Sequence, residues 1–429
     1  MNRVLVLTAD TGSGHRSVSS AVRRAALQHG HLNLHVIEVD PLCANDPLWF
    51  GSGIAARRHW IDGLIAGYGP LVVHAPWLWG VLYNLEALPG GLELFHFMYG
   101  DCLRARIRAA IAVSRPAAVV SVHPLVNHAL ADVIARGPWL PTMTVVTDLV
   151  DVHPWWICDR IDRFSTSTSA AAARVMAHGI DASRVAVRGQ PIRTEFDSEP
   201  RERGAARQLL GMDSTTPVVL FMGGGDGAGR LCELVEACDR TVRRPNAPVP
   251  VDVPYREVQF VVVCGRNEHA RRELSSVSWT APTTIFGHVS NIPDLMAAAD
   301  VIVTKPGPST ITEAMAMARP MLVGPPLPGQ EDGNVPYVTG IGAALAFGRP
   351  EEAATLLQRL LAAPESVRHQ MGAAGRTHFI PGSTLALTEA IAELASVPPP
   401  FPNDPIPVAV ANDLSDRWFD LIPGSQPIR

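Results

Sequence analysis

The stretch VIVTKPGPSTITEA, residues 301–314, joins a buried strand to a helix through a loop rich in proline and glycine. Residues 301–304 are apolar or β-branched, the loop occupies 305–308, and a helical pattern starts near Ser309. The helix start would offer backbone N–H groups to a diphosphate, and Glu313 in the first turn would offer a carboxylate to ribose hydroxyls. The simpler alternative is a helix start capped by Ser309 without any ligand.

The same order of strand, loop and helix recurs along the chain. Strands that alternate with helices are typical of a parallel sheet with helices on both faces. The pattern restarts after about residue 194, which predicts two doubly wound α/β halves joined near 189–193. An amphipathic helix is predicted at 350–362. Besides 301–304, apolar runs predict strands at residues 3–8, 36–39, 117–122, 142–147, 185–188, 218–222 and 260–264.

Composition excludes several classes of protein. The 429 residues are enough for two or three domains, and 47% hydrophobic against 18% charged residues excludes a disordered chain. The net charge of −5 is spread along the chain without a basic block, which argues against nucleic-acid binding. Lys305 is the only lysine, which marks it as a residue to follow.

Cysteine usage and hydropathy bear on the compartment. Six scattered cysteines without CxxC spacing disfavour a zinc ribbon and fit a reducing environment. No window of about 20 apolar residues predicts a transmembrane helix. The chain enters its first strand at once, without the basic and apolar regions of a leader. We therefore expect a cytoplasmic protein.

Residues 10–16, DTGSGHR, follow the first predicted strand and open a helix. A dinucleotide fingerprint would place a third glycine at Ser17, although Glu38 and Asp40 do lie near the end of the next strand. That fingerprint does not require a histidine, whereas His15 at a helix start is suited to be a general base in a cleft between domains. A capping or buried histidine is the ordinary alternative.

Two further loops are weaker candidates. Residues 223–229 form a second glycine-rich turn after a strand but lack the GK[ST] ending of a Walker loop. Gln330, Glu331 and Asn334 cluster in a loop and suit sugar hydroxyls, although a solvated loop would look similar.

Residues 41–105 interrupt the α/β pattern with an aromatic-rich insertion. It contains Trp49, Trp60, Trp77 and Trp79. The indoles could lie at a membrane interface, where one side is wet and the other apolar. A helical subdomain with an ordinary aromatic core is the alternative.

The order of these sites resembles that of the family 28 glycosyltransferases, and within them the monogalactosyldiacylglycerol synthases and the processive diacylglycerol glucosyltransferases. The resemblance extends to about residue 393. Departures are small: Ser13 and Ser309 stand where glycines are usual, and Pro306 replaces a small residue. The matching stretches are 10–16, 121–124, 147–149, 153–156, 191–193, 223–225, 263–267, 305–313 and 329–338.

The resemblance implies a GT-B fold, two Rossmann-like domains with the active site in the cleft between them. Residues 1–193, including the insertion 41–105, would form the domain that faces the acceptor and the membrane. Residues 194–396 would bind the UDP-sugar. Residues 397–429 would be a Pro-rich tail, packed on the surface or disordered.

The resemblance also implies roles for individual residues. His15 would be the catalytic base, and Glu313 would bind ribose. Gly224, Gly225, residues 306–310 and Arg193 would surround the diphosphate, residues 287–289 would meet uracil, and Gln330 and Glu331 would bind the sugar. The complete donor set is Arg193, Gly224, Gly225, Gly287, His288, Val289, Pro306, Gly307, Pro308, Ser309, Thr310, Glu313, Gln330 and Glu331; the acceptor set is Gly14, His153, Trp77 and Trp79.

The activity implied is an inverting transfer of hexose, with galactose favoured over glucose, from a UDP-sugar to the 3-hydroxyl of 1,2-diacylglycerol. The product would be a β-monohexosyldiacylglycerol. No cofactor or essential metal is expected, and an anionic membrane surface, at its cytoplasmic face, is the expected partner. The alternatives are a transferase of N-acetylglucosamine to a polyprenyl-linked acceptor, a UDP-sugar 2-epimerase of the same fold, and a non-catalytic nucleotide-sugar-binding regulator.

Overall fold

The computed structural model describes residues 1–9, 13–43, 67, 71–72, 75–88, 90–137, 139–197, 199–225, 227, 230–242 and 258–397. Several predictions lie outside these residues. Among them are residues 10–12 of the His15 loop, Trp49 and Trp60 of the insertion, and all of the predicted tail except Val397.

Two six-stranded sheets, parallel throughout, organise the described chain. The first has the strand order β2-β1-β3-β4-β5-β6 and the second β12-β11-β10-β7-β8-β9. Both sheets, with their helices, confirm the predicted doubly wound α/β fold. The strands are β1 Asn2–Leu7, β2 Leu34–Val39, β3 Ala118–Ser121, β4 Thr142–Val146, β5 Arg163–Thr166, β6 Val185–Val187, β7 Val218–Met222, β8 Gln259–Val263, β9 Thr283–Phe286, β10 Val301–Thr304, β11 Met321–Val323 and β12 Ala344–Ala346.

The helices follow the strands in nearly regular alternation. Predicted helix 350–362 is found at Pro350–Ala362. The described helices are α1 Ser13–Gln28, α2 Pro76–Glu86, α3 Gly91–Ser114, α4 Pro124–Ala135, α5 Ser169–Ala177, α6 Arg203–Leu209, α7 Leu231–Val242, α8 Glu268–Ser275, α9 Ile292–Ala298, α10 Pro308–Ala316, α11 Asn334–Gly340, α12 Pro350–Ala362, α13 Glu365–His378 and α14 Ser383–Leu394. None of these described helices is long and apolar enough to cross a membrane.

The eight strands predicted from sequence are all present, and the four that were not predicted are β5, β9, β11 and β12. These four have only three or four residues each. Length alone does not explain the difference, because the predicted strands β3, β6 and β10 are equally short. Those three contain two or three valine or isoleucine residues each, whereas β5, β9, β11 and β12 contain at most one. These four strands form because the neighbouring strands of each sheet supply hydrogen-bond partners for their backbone groups.

The last helix of the described chain returns to the first sheet. Leu387 and Ile391 of α14 are fully buried in the core formed with Val4 and Val18. The Ser383 hydroxyl donates to the Gln190 carbonyl at 2.8 Å, which ties the helix start to the connection between the two sheets. The predicted boundaries at 193 and 396 stay predictions, and residues before the second boundary pack on the first sheet.

Each sheet has one point where the winding of the chain reverses. In the first sheet this point lies between β1 and β3, and in the second between β7 and β10. Ligands of open α/β sheets bind beside such switch points, outside the carboxyl ends of the strands. The His15 loop follows β1, and the two candidate phosphate loops follow β7 and β10. The topology therefore places the strongest sequence candidates at the two expected positions.

Candidate functional site

His15 is the third residue of α1 and lies beside the carboxyl ends of β3 and β4. Its Nδ1 is 2.7 Å from the Val122 carbonyl oxygen, and the Thr147 hydroxyl lies 3.4 Å from the same nitrogen. Because a carbonyl can only accept, Nδ1 of the neutral ring carries the proton. The other nitrogen, Nε2, then has a free lone pair, and it has no hydrogen-bond partner among the described residues.

Burial keeps the His15 ring neutral. The side chain is 7% exposed, and desolvation lowers its pKa to about 4, against the opposing effect of the Val122 hydrogen bond. His123 packs edge-on against it with ring centroids 4.5 Å apart, and burial also lowers the pKa of His123. His15 is therefore buried, as the ordinary alternative supposed, and is also in the protonation state that a general base needs. A Cβ added at the neighbouring Gly14 would meet open space.

Asp148 and His153 lie in the loop after β4. Asp148 accepts hydrogen bonds from the Trp156 indole at 2.8 Å and from the His153 backbone at 3.4 Å. Burial raises the pKa of Asp148 to about 7 despite these bonds. Burial lowers the pKa of His153 to about 4. Because the His153 Nε2 donates to the Tyr83 carbonyl at 3.4 Å, its ring is tied to α2.

The glycine-rich turn after β7 lies in close contact with neighbouring backbone. Gly224 has a φ of +71°, in the region where glycine is unstrained. A Cβ on Gly265 would lie 2.4 Å from the Gly225 carbonyl oxygen. Backbone therefore fills the space where side chains would otherwise stand, as expected at a loop that holds an anion through N–H groups.

Lys305 lies between the two glycine loops. Its Cε is 3.4 Å from the position of a Cβ on Gly224, and its Nζ is 3.2 Å from that position on Gly307. The Nζ donates to the Glu331 carboxylate at 2.5 Å. Lys305 was not among the predicted site residues, although it is the only lysine in the sequence and the first residue of the matching stretch 305–313. It places a cation where the diphosphate is expected.

The start of α10 differs from the predicted cap. Gly307 is the capping residue and Pro308 occupies the first helical position. The Ser309 hydroxyl is buried and has no hydrogen-bond partner within the described part of the chain, so the interpretation of Ser309 as the cap is wrong. The Asn334 side chain donates to the Pro306 carbonyl at 2.9 Å, which fixes this loop to the start of α11. An orphaned hydroxyl beside free N–H groups indicates a place for a polar ligand.

Glu313 lies in the second turn of α10, one turn further than predicted. Burial raises its pKa to about 7, and Arg193 opposes that shift. It accepts no hydrogen bond from a described residue. Arg193 donates to the Ser290 carbonyl at 2.8 Å and so contacts the loop after β9 that contains residues 287–289. His288 is exposed in that loop.

The loop between β11 and α11 carries Gln330 and Glu331. Glu331 is buried and uses both carboxylate oxygens within the protein, one for Lys305 and the other for the Leu327 backbone N–H at 3.0 Å. A direct contact of Glu331 with the donor sugar stays a prediction. What the structure shows is that Glu331 fixes the orientation of Lys305.

The described part of the aromatic insertion forms α2, followed by α3. Trp77 is 68% exposed, whereas Trp79 is half-buried beside Tyr83 with ring centroids 5.8 Å apart. The two predicted acceptor-side tryptophans therefore face different surroundings. Leu88 is exposed between the two helices, and other exposed apolar side chains on the helices themselves are Val81, Leu82, Leu85, Leu94, Phe97 and Met98.

Two family models match the chain. Residues 53–192 match monogalactosyldiacylglycerol (MGDG) synthase, and residues 218–372 match the glycosyltransferase family 28 C-terminal domain. The spinach monogalactosyldiacylglycerol synthase is 30% identical over 91% of this chain and 72% of its own length. The probable synthase of soybean is 31% identical over 83% of this chain, which spans 64% of that relative.

One solved structure illustrates the shared fold. MurG of Acinetobacter baumannii superposes with a TM-score of 0.56 over 92% of this chain and all of MurG, at 15% identity. At that identity the likeness shows the fold alone, and it confirms the predicted GT-B architecture.

The predicted location is wrong. We expected a peripheral protein on the cytoplasmic face of a membrane, but the relatives from spinach and soybean are named as chloroplastic. The predicted family, by contrast, is confirmed by identity, coverage and both models: this chain belongs to the monogalactosyldiacylglycerol synthase family of glycosyltransferases.

Proposed function

We propose that the chain transfers galactose from UDP-galactose to the 3-hydroxyl of 1,2-diacylglycerol and inverts the anomeric centre. The observation that carries the proposal is the neutral His15 imidazole, which presents a free Nε2 at one switch point while the cation-bearing loops occupy the other. The names of the relatives support galactose as the sugar and diacylglycerol as the acceptor.

The acceptor oxygen is activated at His15. Nε2 takes the proton of the diacylglycerol hydroxyl as that oxygen bonds to the anomeric carbon. The hydrogen bond from Nδ1 to the Val122 carbonyl holds the tautomer and then stabilises the imidazolium ion. One displacement turns the α-linked donor into a β-linked product.

The leaving UDP gains negative charge as its bond to galactose breaks. Fixed donors that meet this charge lower the barrier most when they need no rearrangement. Lys305, the free N–H groups at the start of α10 and the Ser309 hydroxyl are such donors. Glu313 would accept hydrogen bonds from the ribose hydroxyls.

A lipid surface is the expected neighbour of α2 and α3. A diacylglycerol has almost no solubility in water, so its hydroxyl must be reached at the surface of a membrane. Trp77, Leu85 and Phe97 expose apolar side chains that a membrane interface would cover. We therefore propose that α2 and α3 contact the lipid surface that holds the diacylglycerol.

The test is a product assay. The purified chain is incubated with dioleoylglycerol in anionic vesicles and with UDP-galactose or UDP-glucose, beside the His15→Gln variant. Monogalactosyldiacylglycerol with a β-linkage, absent with the variant, is the expected result. Binding of UDP without any lipid product would contradict the proposed acceptor, and a glucolipid would contradict the proposed donor.

A further inference from the structure

The loop that carries Gln330 and Glu331 lies in the part of the chain that forms the second sheet. It packs against α2, which lies in the part that forms the first sheet. A Cβ on Gly80, within α2, would lie 2.5 Å from the Cβ of Pro328. A Cβ on Gly329 would lie 2.4 Å from Cδ1 of Tyr83, also in α2. Two glycines, one on each partner, therefore allow the Pro328 and Tyr83 side chains to pack directly against the backbone of the other element.

The helix is in turn held by the acceptor half. The Tyr83 ring lies 4.5 Å from the His153 ring, centroid to centroid, and the Tyr83 carbonyl accepts from the His153 Nε2. Trp79 also lies beside Tyr83, with ring centroids 5.8 Å apart. The loop therefore rests on an aromatic cluster, of His153, Tyr83 and Trp79, that belongs to the first half of the chain.

A similar close approach occurs at the far end of the loop. A Cβ on Gly333 would lie 2.4 Å from Oδ2 of Asp151, in the loop after β4. Both ends of residues 328–333 are thus contacted by the acceptor half. Glu331 in the middle is tied to Lys305 of the donor half.

We propose that α2 is a positioning element of the donor-sugar subsite, with Gly80 and Tyr83 as its positioning residues. The helix holds residues 328–330 in the conformation that binds galactose, so that the sugar subsite is completed by the acceptor half. The proposal rests on the function proposed above and deepens it. UDP itself binds to loops that α2 does not touch.

The physical basis is conformational entropy. Fixing the backbone of one flexible residue costs about 1–2 kcal/mol. A loop that is already seated on α2 does not incur this cost when the sugar binds, so its affinity is higher. Separating α2 from Pro328 should therefore weaken the binding of UDP-galactose and leave the binding of UDP unchanged.

Gly80→Ala is the variant that tests this. The added methyl cannot fit against Pro328, whereas alanine within a helix is otherwise favourable by up to about 1 kcal/mol. We expect the Kd of UDP-galactose to rise about tenfold, the Kd of UDP to stay within twofold, and the unfolding temperature not to fall. Titration calorimetry and thermal unfolding measure these three quantities.

A second substitution should rescue the first. Pro328→Gly removes the atom that the new methyl would strike, so Gly80→Ala/Pro328→Gly should bind UDP-galactose as tightly as Pro328→Gly alone. Gly340→Ala is the matched control, since it also adds a methyl to a glycine in a helix but meets nothing within 4 Å. It should bind both ligands as the unmodified chain does.

The inference would be wrong if Gly80→Ala bound UDP-galactose with the Kd of the unmodified chain, or if its Kd for UDP rose by the same factor as its Kd for UDP-galactose. It would also be wrong if Pro328→Gly did not restore the binding of UDP-galactose in the double variant. These results are distinct from a failure of the proposed function. An unmodified chain that binds UDP-galactose but yields no galactolipid would refute the proposed reaction and would leave the binding test intact.

Discussion

The two switch points of this protein are built from opposite chemistry. The acceptor side gathers His15, His123 and His153, all buried, all with a lowered pKa, and held by backbone hydrogen bonds or ring contacts. The donor side has a lysine, a buried carboxylate partner and bare backbone amides. The difference matches the two ends of the reaction, because a nucleophile needs a neutral base and a leaving diphosphate needs fixed positive charge.

Burial acts on both sides and in opposite directions on the pKa. It lowers the pKa of His15 to about 4 and raises the pKa of Glu313 to about 7. In each case burial favours the neutral form of the side chain, because a medium of low dielectric constant destabilises a charge. His15 should therefore titrate in acid and Glu313 near neutrality.

The largest effect is expected at the acceptor side. His15→Ala removes the general base, and kcat should fall about 10³-fold. The KM for UDP-galactose should stay within about twofold, because the donor loops are untouched. Steady-state kinetics with both substrates measures this split, and a loss confined to the KM for the donor would contradict the proposed role.

The next effect is expected at the donor side. Lys305→Met keeps the length of the side chain and removes its charge, and kcat/KM for UDP-galactose should fall about 10²-fold. Lys305→Met also leaves Glu331 without its cation, so Lys305→Met/Glu331→Gln is the matched control. If the double variant recovered full activity, Lys305 would serve only to neutralise Glu331.

Chemical labelling of Lys305 can test directly whether this side chain lies at the diphosphate site. It carries the only ε-amine in the sequence. Pyridoxal phosphate condenses with an amine to an imine and water, and borohydride then reduces the imine to a stable secondary amine. UDP should protect Lys305 from this labelling, as followed by peptide mass spectrometry. Labelling that UDP does not change would place the diphosphate elsewhere.

A third, smaller effect is expected in the pH dependence of the affinity for UDP. The ionised form of Glu313 grows as pH rises through about 7, and a carboxylate makes stronger hydrogen bonds to ribose hydroxyls than a carboxylic acid does. The affinity for UDP should rise between pH 6 and 8, by roughly tenfold at most. Glu313→Gln should abolish that rise, whereas His15→Gln should retain it. A rise that persists in Glu313→Gln would assign it to another group.

The smallest effect is expected at the exposed face of α2. Trp77→Ser should reduce binding to anionic vesicles by roughly fivefold, since one indole contributes on the order of 1 kcal/mol at an interface. Trp139→Ser is the control, because Trp139 is 57% exposed but lies outside α2 and α3. Vesicle co-sedimentation measures both variants, and an equal loss in the two would show that the effect is not specific to α2.

Much of the donor side could be predicted from the sequence, and less of the acceptor side. The loops after β7 and β10 follow strands of mostly apolar residues, so their positions were predictable from the sequence pattern. The contacts of His15 with Val122, Thr147 and His123 were not, because these residues are more than a hundred positions away. The strands β11 and β12 escaped prediction because they contain at most one valine or isoleucine each.

The sequence by itself determined the α/β class, the two winding units, the glycine turns and the position of His15 at a helix start. All of these rest on patterns within about 15 residues, where periodicity and turn chemistry act. The tertiary structure decided which groups meet: Lys305 with Glu331, Tyr83 with Gly329, and α14 with the first sheet. It also decided the protonation states of His15 and Glu313, because desolvation depends on every group packed around a side chain and no local pattern records it.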